Sequence, residues 1–537
     1  MRTVHVQVDT TRPSPLRRIW RYVGYDEPNY TYTPNGRSLL GKLGAMADAP
    51  YYIRAHFLLC SGDGTGRPKW GSTNAYTEDS DGNAIYSWDI VDRILDTYLE
   101  MGCTPFIELG FMPEALSTAP AGTPYDDIRE GGWRYPPKAY GRWQELTEAL
   151  ALHCLSRYGL REVRGWYWEL WNEPDIFYWA GTTEEYCTLY DYTAAGLLAV
   201  LPQARIGGPG TTNPSREQAG AYLRAFLEHC VHGTNAVTGT TGTRLDFISF
   251  HTKGGGYRRD VAAAKQTPTI AALVGHVDAG LEIIGSFPEL FRREVILTEC
   301  DPDGMAAYGK YDNANLQFRN TEYYASYVAT TACTLLDIRA DGPNRVDGML
   351  TWAFQFENRE YFEGLRTLAT NDIDKPVLNV FRMLARLGNF RVPLASDGAR
   401  NPLAGTDDDS ATLPPGLFGI ATASGDDNVQ ILLSSHHDDW DMHTSTEVHV
   451  DCSGLPNGAR YRVRRSVIDA EHSNAHTVWV RMGEPQPPTA AQIPVLKQAA
   501  GLQTVDVREI AVSAGHVAWS VSMASHSVCL LELSRME

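Results

Sequence analysis

The sequence predicts an α/β protein, a closed (β/α)8 TIM barrel followed by a C-terminal antiparallel β-sandwich. Three observations lead there. Short apolar runs alternate with helix-period segments eight times in roughly 370 residues, the pattern of parallel strands joined by crossover helices. No phosphate-binding glycine fingerprint sits between a strand and a helix, because GGPG (207–210) and GDGTG (62–66) lack both the spacing and the placement. An open doubly wound sheet therefore has little to recommend it. Beyond Gly388 the helical period gives way to short β-rich runs separated by turn residues. At 537 residues the chain is too long for one typical core. We expect an N-terminal strand joining the accessory sheet over 1–15, a catalytic barrel over 16–390 and a β-sandwich over 391–537.

The barrel elements follow in order. IWRYVGYD (19–26) is the first strand, with a helical pattern near 36–48, and YYIRAHFLL (51–59) is the second. After a Gly-rich loop comes WDIVDRILDTYLEMG (88–102), in which Val91, Ile94, Leu95 and Tyr98 fall on one helix face. TPFIELG (104–110) is strand three, and the helix over 138–159 stops at Gly159. Strand four is GWYWELWNEPD (165–175), an apolar run broken by a proline that cannot continue a central strand. Helices near 183–200, 215–232, 268–286 and 316–338 then alternate with RIGGPGTT (205–212), DFISFHT (246–252), EVILTEC (294–300) and GMLTWAF (348–354). A last helix runs from Pro376 to Gly388. SDGARNPLAGTDDDSATLPPG (396–416) reads as a loop insertion. NVQILLSS, TEVHVDC, RYRVRRSVI, HVAWSVSM and SVCLLELS read as sandwich strands, and the lone TVHVQVD (3–9) is expected to pair with them.

A net charge of −18 argues against nucleic acid or an anionic membrane as the main partner. Nine scattered cysteines without a CxxC pair read as buried free thiols in a reducing compartment, not as a disulfide framework or a zinc site. The N-terminus has no apolar signal region, and no apolar run nears 18 residues, so a cytoplasmic location is expected. No cofactor or metal is expected. HHDDWDMH (436–443) has metal-ligand residue types but joins two sandwich strands, so a solvated hairpin tip is the reading preferred. A homo-oligomer stays open.

In a (β/α)8 barrel the carboxyl ends of the strands form the active face. Strand two delivers Arg54 and His56, strand three Glu108, strand four Asn172 and Glu173, and strand six His251 and Lys253. Strand seven delivers Glu299 with Asp301 behind it. Strand eight delivers Trp352, and its loop carries Glu357 and Arg366. Two carboxylates on strands four and seven suit glycoside hydrolysis, one protonating the leaving oxygen and one attacking the anomeric carbon. Burial beside Trp168 and Trp171 would raise the acid, and nearby Arg54, His56 or Lys253 would keep the nucleophile ionised.

These residues carry a resemblance. WNEP on strand four and the Glu of strand seven, with YIRAHFLL, PFIELGFMPEAL, IGGPG and IDAEHSNAH…VWVRMGEPQPPTAAQ, make the chain similar to glycoside hydrolase family 39 over nearly its whole length. That family holds β-D-xylosidases and α-L-iduronidases. The resemblance implies an exo-acting retaining enzyme with Glu173 as acid/base and Glu299 as nucleophile. FHTKG with Lys253, TECDPDG and LRTL with Arg366 look like the iduronidase branch, whereas IDAEHSNAH reads as well with the xylosidases.

A uronic acid brings a negative charge, which Lys253, Arg366 and turn amides near Gly304 would bind. The competing reading has Lys253 merely paired with Glu357 or Asp301. Arg54, His56, Asn172, His251, Trp352 and, by likeness to a sugar-binding Asp, Glu357 complete the expected substrate-binding set. The leading specificity is thus an α-L-iduronide, with a β-D-xyloside as alternative and a non-catalytic sugar-binding protein as remote alternative.

Overall fold

The computed structural model describes residues 2–46, 49–257, 264–340, 342–403, 414–425 and 428–536. Eight parallel strands close into a barrel. They are β1 (Tyr22–Tyr25), β2 (Tyr52–Ala55), β3 (Thr104–Leu109), β4 (Tyr167–Leu170), β5 (Arg205–Thr211), β6 (Phe247–Lys253), β7 (Glu294–Asp301) and β8 (Val346–Trp352). Five expected apolar runs contain their strands, while β6 and β7 each run one residue past the expected end and β8 starts two residues before the expected start. The helices are α1 (Pro34–Gly44), α2 (Asp89–Glu100), α3 (Tyr140–Tyr158), α4 (Thr183–Val200), α5 (Glu217–His232), α6 (Ile270–Gly285), α7 (Glu322–Asp337) and α8 (Pro376–Ala385).

Local chemistry sets their ends. Thr182 and Glu185 form a reciprocal capping box that opens α4. Gly159, at φ +79°, closes α3 in a conformation that favours glycine. The pattern expected from 316 starts as a helix only at Glu322, because the Thr321 hydroxyl accepts the Tyr323 N–H and Ala314–Asn320 winds as 3-10 helix.

Side chains fill the barrel in layers, two residues apart along each strand. At the amino-terminal end Tyr22, Tyr52, Phe106, Tyr167, Phe247 and Ile296 pack as one aromatic-rich cluster. One step up the same strands stand Gly24, Arg54, Glu108, Glu169 and Ser249. Gly24 is required there, since a Cβ would fall 2.4 Å from the Trp352 ring.

The accessory part consists of two sheets. Seven antiparallel strands run in the spatial order Ser14–Pro15, Phe390–Val392, Gly416–Ala423, Val429–His436, Ser527–Arg535, Arg460–Ile468 and Gln503–Ala511. Against them lie Leu394–Ser396, Arg2–Asp9, Ser445–Ser453 and His516–Ala524. Val4, Val6 and Val8 contribute to the core between the sheets. The N-terminal strand does join this sheet, but it runs parallel to Ser445–Ser453, a pairing that a purely antiparallel sandwich does not contain. The other face of the seven-stranded sheet packs on the barrel, with Thr330 of α7 bonded to Ser434.

Three expectations are corrected or bounded. HHDDWDMH is no solvated tip: His436 and His437 are buried, His436 bonds Ser326 of α7, and Trp440 stacks on Phe318. The loop reading of 396–416 lies partly outside the described residues, which omit 404–413. The stretch after Ile468, assigned no element from sequence, forms helices Ala475–Arg481 and Gln492–Ala500, whose Trp479 and Leu496 pack on Phe362 of the strand-eight loop. All nine cysteines are buried and unbridged. No helix among the described residues is long and apolar enough to cross a membrane.

Candidate active site

The polar floor of the site is built around Arg54. Its guanidinium bonds Glu169 at 2.6 Å, Glu108 at 2.9 Å and the Asn172 side-chain oxygen at 3.1 Å, all without solvent exposure. Glu169 also accepts hydrogen bonds from the Ser249 and Thr298 hydroxyls. Buried charges of this kind persist only when paired. The Asn172 amide nitrogen is buried and has no hydrogen-bond partner among the described residues.

Above this floor the strand ends aim two glutamates into the pocket. β4 stops at Leu170, and Trp171 and Glu173 take left-handed backbones at φ +67° and +42°. The Glu173 N–H bonds the carbonyl of Gly210. Non-glycine residues rarely adopt such angles, and strain of this sort collects where a side chain must be aimed.

A register shift after Phe250 does similar work on β7. Thr298 faces the interior to reach Glu169, and its neighbour Glu299 also enters the pocket, which a regular strand would not allow. Cys300 turns to the outside and is buried there. Glu173 and Glu299 each bring a carboxyl oxygen within 4.8 Å of the other and of a His251 nitrogen. His251 Nδ1 stands 2.9 Å from Glu173 and 3.7 Å from Glu299.

Burial alone would push the Glu299 carboxyl up, but Lys253 and then His251 hold it well below the usual carboxylate range. Lys253 Nζ lies 2.6 Å from Glu299 and 2.6 Å from Asp301. Burial would lower this ammonium, and the two carboxylates raise it instead. His56, packed on Trp352 with centroids 4.2 Å apart, is kept neutral by burial and by Arg54. Its Nδ1 meets Glu108 at 2.6 Å, and its Nε2 faces Asp26 at 3.6 Å and Glu299 at 3.7 Å. The competing sequence reading of Lys253 is thus half right, since Asp301 is a partner and Glu357 is not.

The remaining expected residues divide. Arg54, His56, Asn172, His251, Lys253 and Trp352 gather around the two glutamates. Gly304 is exposed, with open space where a side chain would stand. Glu357 turns to the start of α1, bonding Thr33 at 2.6 Å and Asn35 at 3.0 Å.

Arg366 departs from expectation. It is 1% exposed and its guanidinium is used by Asp301, by Asp303 and by the Trp352 carbonyl, so it stands beneath the pocket wall. Trp168 and Trp171 also differ from their assigned place. Trp168 points outward to Trp166, and Trp171 packs on Phe111 and Trp179.

Sequence reasoning missed Glu169, Asp26 and Lys69. A glutamate in the middle of WYWEL was a usable signal for the first. Asp26 was readable as the last residue of the strand-one run, two positions beyond Gly24. Lys69 has no periodic signal, because it reaches the pocket from a loop.

The family model for glycosyl hydrolases family 39 matches residues 4–513. Among curated relatives, a β-xylosidase of Caldicellulosiruptor saccharolyticus is 28% identical over 83% of this chain and 83% of its own. An α-L-iduronidase of Mus musculus is 26% identical over 91% of this chain and 74% of its own. Two solved structures share the fold. One, described as the bacterial orthologue of human α-L-iduronidase, has a TM-score of 0.78 at 23% identity, covering 99% of this chain and 84% of that one. A monomeric β-xylosidase from Caulobacter crescentus CB15 has 0.77 at 24%, covering 99% of each.

Proposed function

The chain belongs to glycosyl hydrolase family 39, and from that premise we propose that it is an exo-acting, retaining glycosidase whose leading substrate is a terminal uronic acid of the α-L-iduronide type. Membership makes it an enzyme and sets aside the non-catalytic sugar-binding alternative. The observation that carries the retaining mechanism is the approach of the Glu173 and Glu299 carboxyl oxygens to within 4.8 Å. Inverting enzymes hold the two groups farther apart to admit a water between them.

Glu299 is the group held anionic, so it attacks the anomeric carbon, and the proton donor is Glu173. The bond to the leaving oxygen breaks as that oxygen takes the Glu173 proton, leaving the sugar esterified to Glu299. Water then gives a proton to Glu173 and its oxygen to the anomeric carbon, and the ester to Glu299 breaks. Asn172 and His251 would hold ring hydroxyls and the acid.

The uronate reading rests on Lys253, an ammonium beside the nucleophile. Arg366 would support it indirectly by holding Asp301. A specific observation favours the xyloside reading: Lys253 and Arg366 are already matched by Glu299, Asp301 and Asp303. Comparing kcat/KM on an aryl α-L-iduronide and an aryl β-D-xyloside decides between them. We expect the iduronide to be preferred, and Lys253→Ala to damage the iduronide reaction more. Cleavage of the xyloside alone would overturn the uronate assignment and leave the two-glutamate mechanism standing.

A further inference from the structure

Lys69 has no part in the reaction steps described so far. It sits in the loop after β2 with a left-handed backbone, φ +64°, a conformation costly for a lysine. Two consecutive acids at the end of β1 grip it at both ends. Asp26 takes its ammonium at 2.7 Å, and Glu27 takes its backbone N–H at 2.5 Å. Asp26 is itself 1% exposed and receives the Trp352 indole N–H at 3.4 Å.

This arrangement is more than a loop anchor. The loop is already held by Asn29, whose side chain bonds both the N–H and the carbonyl of Ser72, and by paired Arg67 and Trp70. A further ion pair with one fully buried partner adds a desolvation cost that anchoring does not need.

The position of the ammonium says what it faces. Asp26 Oδ1, which holds it, is 3.6 Å from the His56 nitrogen that also faces Glu299 at 3.7 Å. The buried Tyr178 phenol feels the charges of Lys69, Asp26, Glu173 and Glu299 together. Lys69 therefore overlooks the same pocket through Asp26, which faces the same His56 nitrogen as the nucleophile does. Its side chain remains 31% exposed, and Asp26 is its one hydrogen-bond acceptor among the described residues. Two of its three N–H donors are left for a ligand.

We propose that Lys69 is a specificity-determining residue that binds the terminal sugar's hydroxyls farthest from the scissile bond, those on C3 and C4, with Asp26 as the positioning residue that aims it. A sugar whose anomeric carbon meets Glu299 extends past His56 toward this ammonium. The loop then closes the pocket behind the ring, which is what limits cleavage to chain ends. This rests on the glycosidase reading above but not on the choice between iduronide and xyloside.

The test is a substrate–mutant cycle. Whichever aryl glycoside the wild type cleaves is compared with its 3-deoxy and 4-deoxy analogues, on wild type, Lys69→Ala and Lys69→Gln. Loss of a charge-assisted contact to one hydroxyl predicts that Lys69→Ala lowers kcat/KM on the parent by about 10- to 100-fold. On at least one deoxy analogue the same variant should lose little, because the partner hydroxyl is already absent. Lys69→Arg should restore part of the parent activity, and Asp26→Asn should lose activity in the same substrate-dependent way.

Equal losses on all three substrates, or no loss on any, would overturn the assignment. If Lys69→Ala does not fold, Lys69→Gln carries the same comparison. Turnover of neither aryl glycoside by the wild type would instead overturn the glycosidase specificity proposed above, and this inference with it.

Discussion

The two ends of the barrel are made from the same strands and differ completely in chemistry. β4 contributes Tyr167 at one end and Glu169 two residues later. β3 contributes Phe106 and then Glu108, and β2 contributes Tyr52, then Arg54 and His56. At the amino-terminal end the aromatic rings stack, Tyr22 on Tyr52 at 5.1 Å and Phe106 on Tyr167 at 5.1 Å, with Arg205 lying over Tyr167. That end is stabilised by apolar burial and ring contacts. At the carboxyl end the interior is a lattice of buried ion pairs, which is weak evidence for stability. The difference teaches that one end is arranged for cohesion and the other for holding charges in place for chemistry.

The strongest way to test that division is Glu299→Gln. It should lower kcat by about four orders of magnitude or more while leaving the thermal midpoint nearly unchanged. A large loss of stability would mean that Glu299 is itself structural.

Arg54→Met should act on both properties. It leaves Glu108 and Glu169 buried without their cation, at about 3–5 kcal/mol of stability by denaturant titration, and it frees Asn172. Phe106→Ala, one layer below, should cost about 3–5 kcal/mol as well, but with kcat/KM of the folded fraction retained. Equal activity losses in these two variants would erase the distinction between the ends.

Lys253→Met sharpens the electrostatic side. With the ammonium gone, burial pushes the Glu299 carboxyl up with less to oppose it, so the acid limb of kcat/KM should move to higher pH. An unmoved limb would show that the Lys253 ammonium is not what keeps Glu299 ionised. The smallest effect is expected from Tyr167→Phe. It removes one part-buried bond to Glu294 at 2.9 Å, worth about 1 kcal/mol by denaturant titration, with no change in turnover.

Much of this contrast was legible in the sequence. Period-two spacing put Arg54 with His56 and His251 with Lys253 on common faces, and WNEP and TEC marked the two strand ends that carry the paired glutamates. What escaped was charge pairing across the fold. LRTL offered Arg366 as a free cation, whereas the chain brings Asp301 and Asp303 against it from β7 and the turn beyond, and nothing in linear spacing announces that.

The register shift on β7 was equally silent, although it alone lets Thr298 and Glu299 both face inward. Lys69 escaped because loops carry no period. The helices at Ala475–Arg481 and Gln492–Ala500 escaped because they are too short to show a period and pack on another part of the chain, at Phe362.

The parallel N-terminal strand bears on how the chain is born. Arg2–Asp9 is made long before its partners, Leu394–Ser396 and Ser445–Ser453. At roughly 5–20 residues per second of synthesis it waits tens of seconds for them, while the barrel between has time to close. Seating this strand is then a final latch. A bulky fusion at the amino terminus should slow maturation of the sandwich long before it touches the sugar pocket.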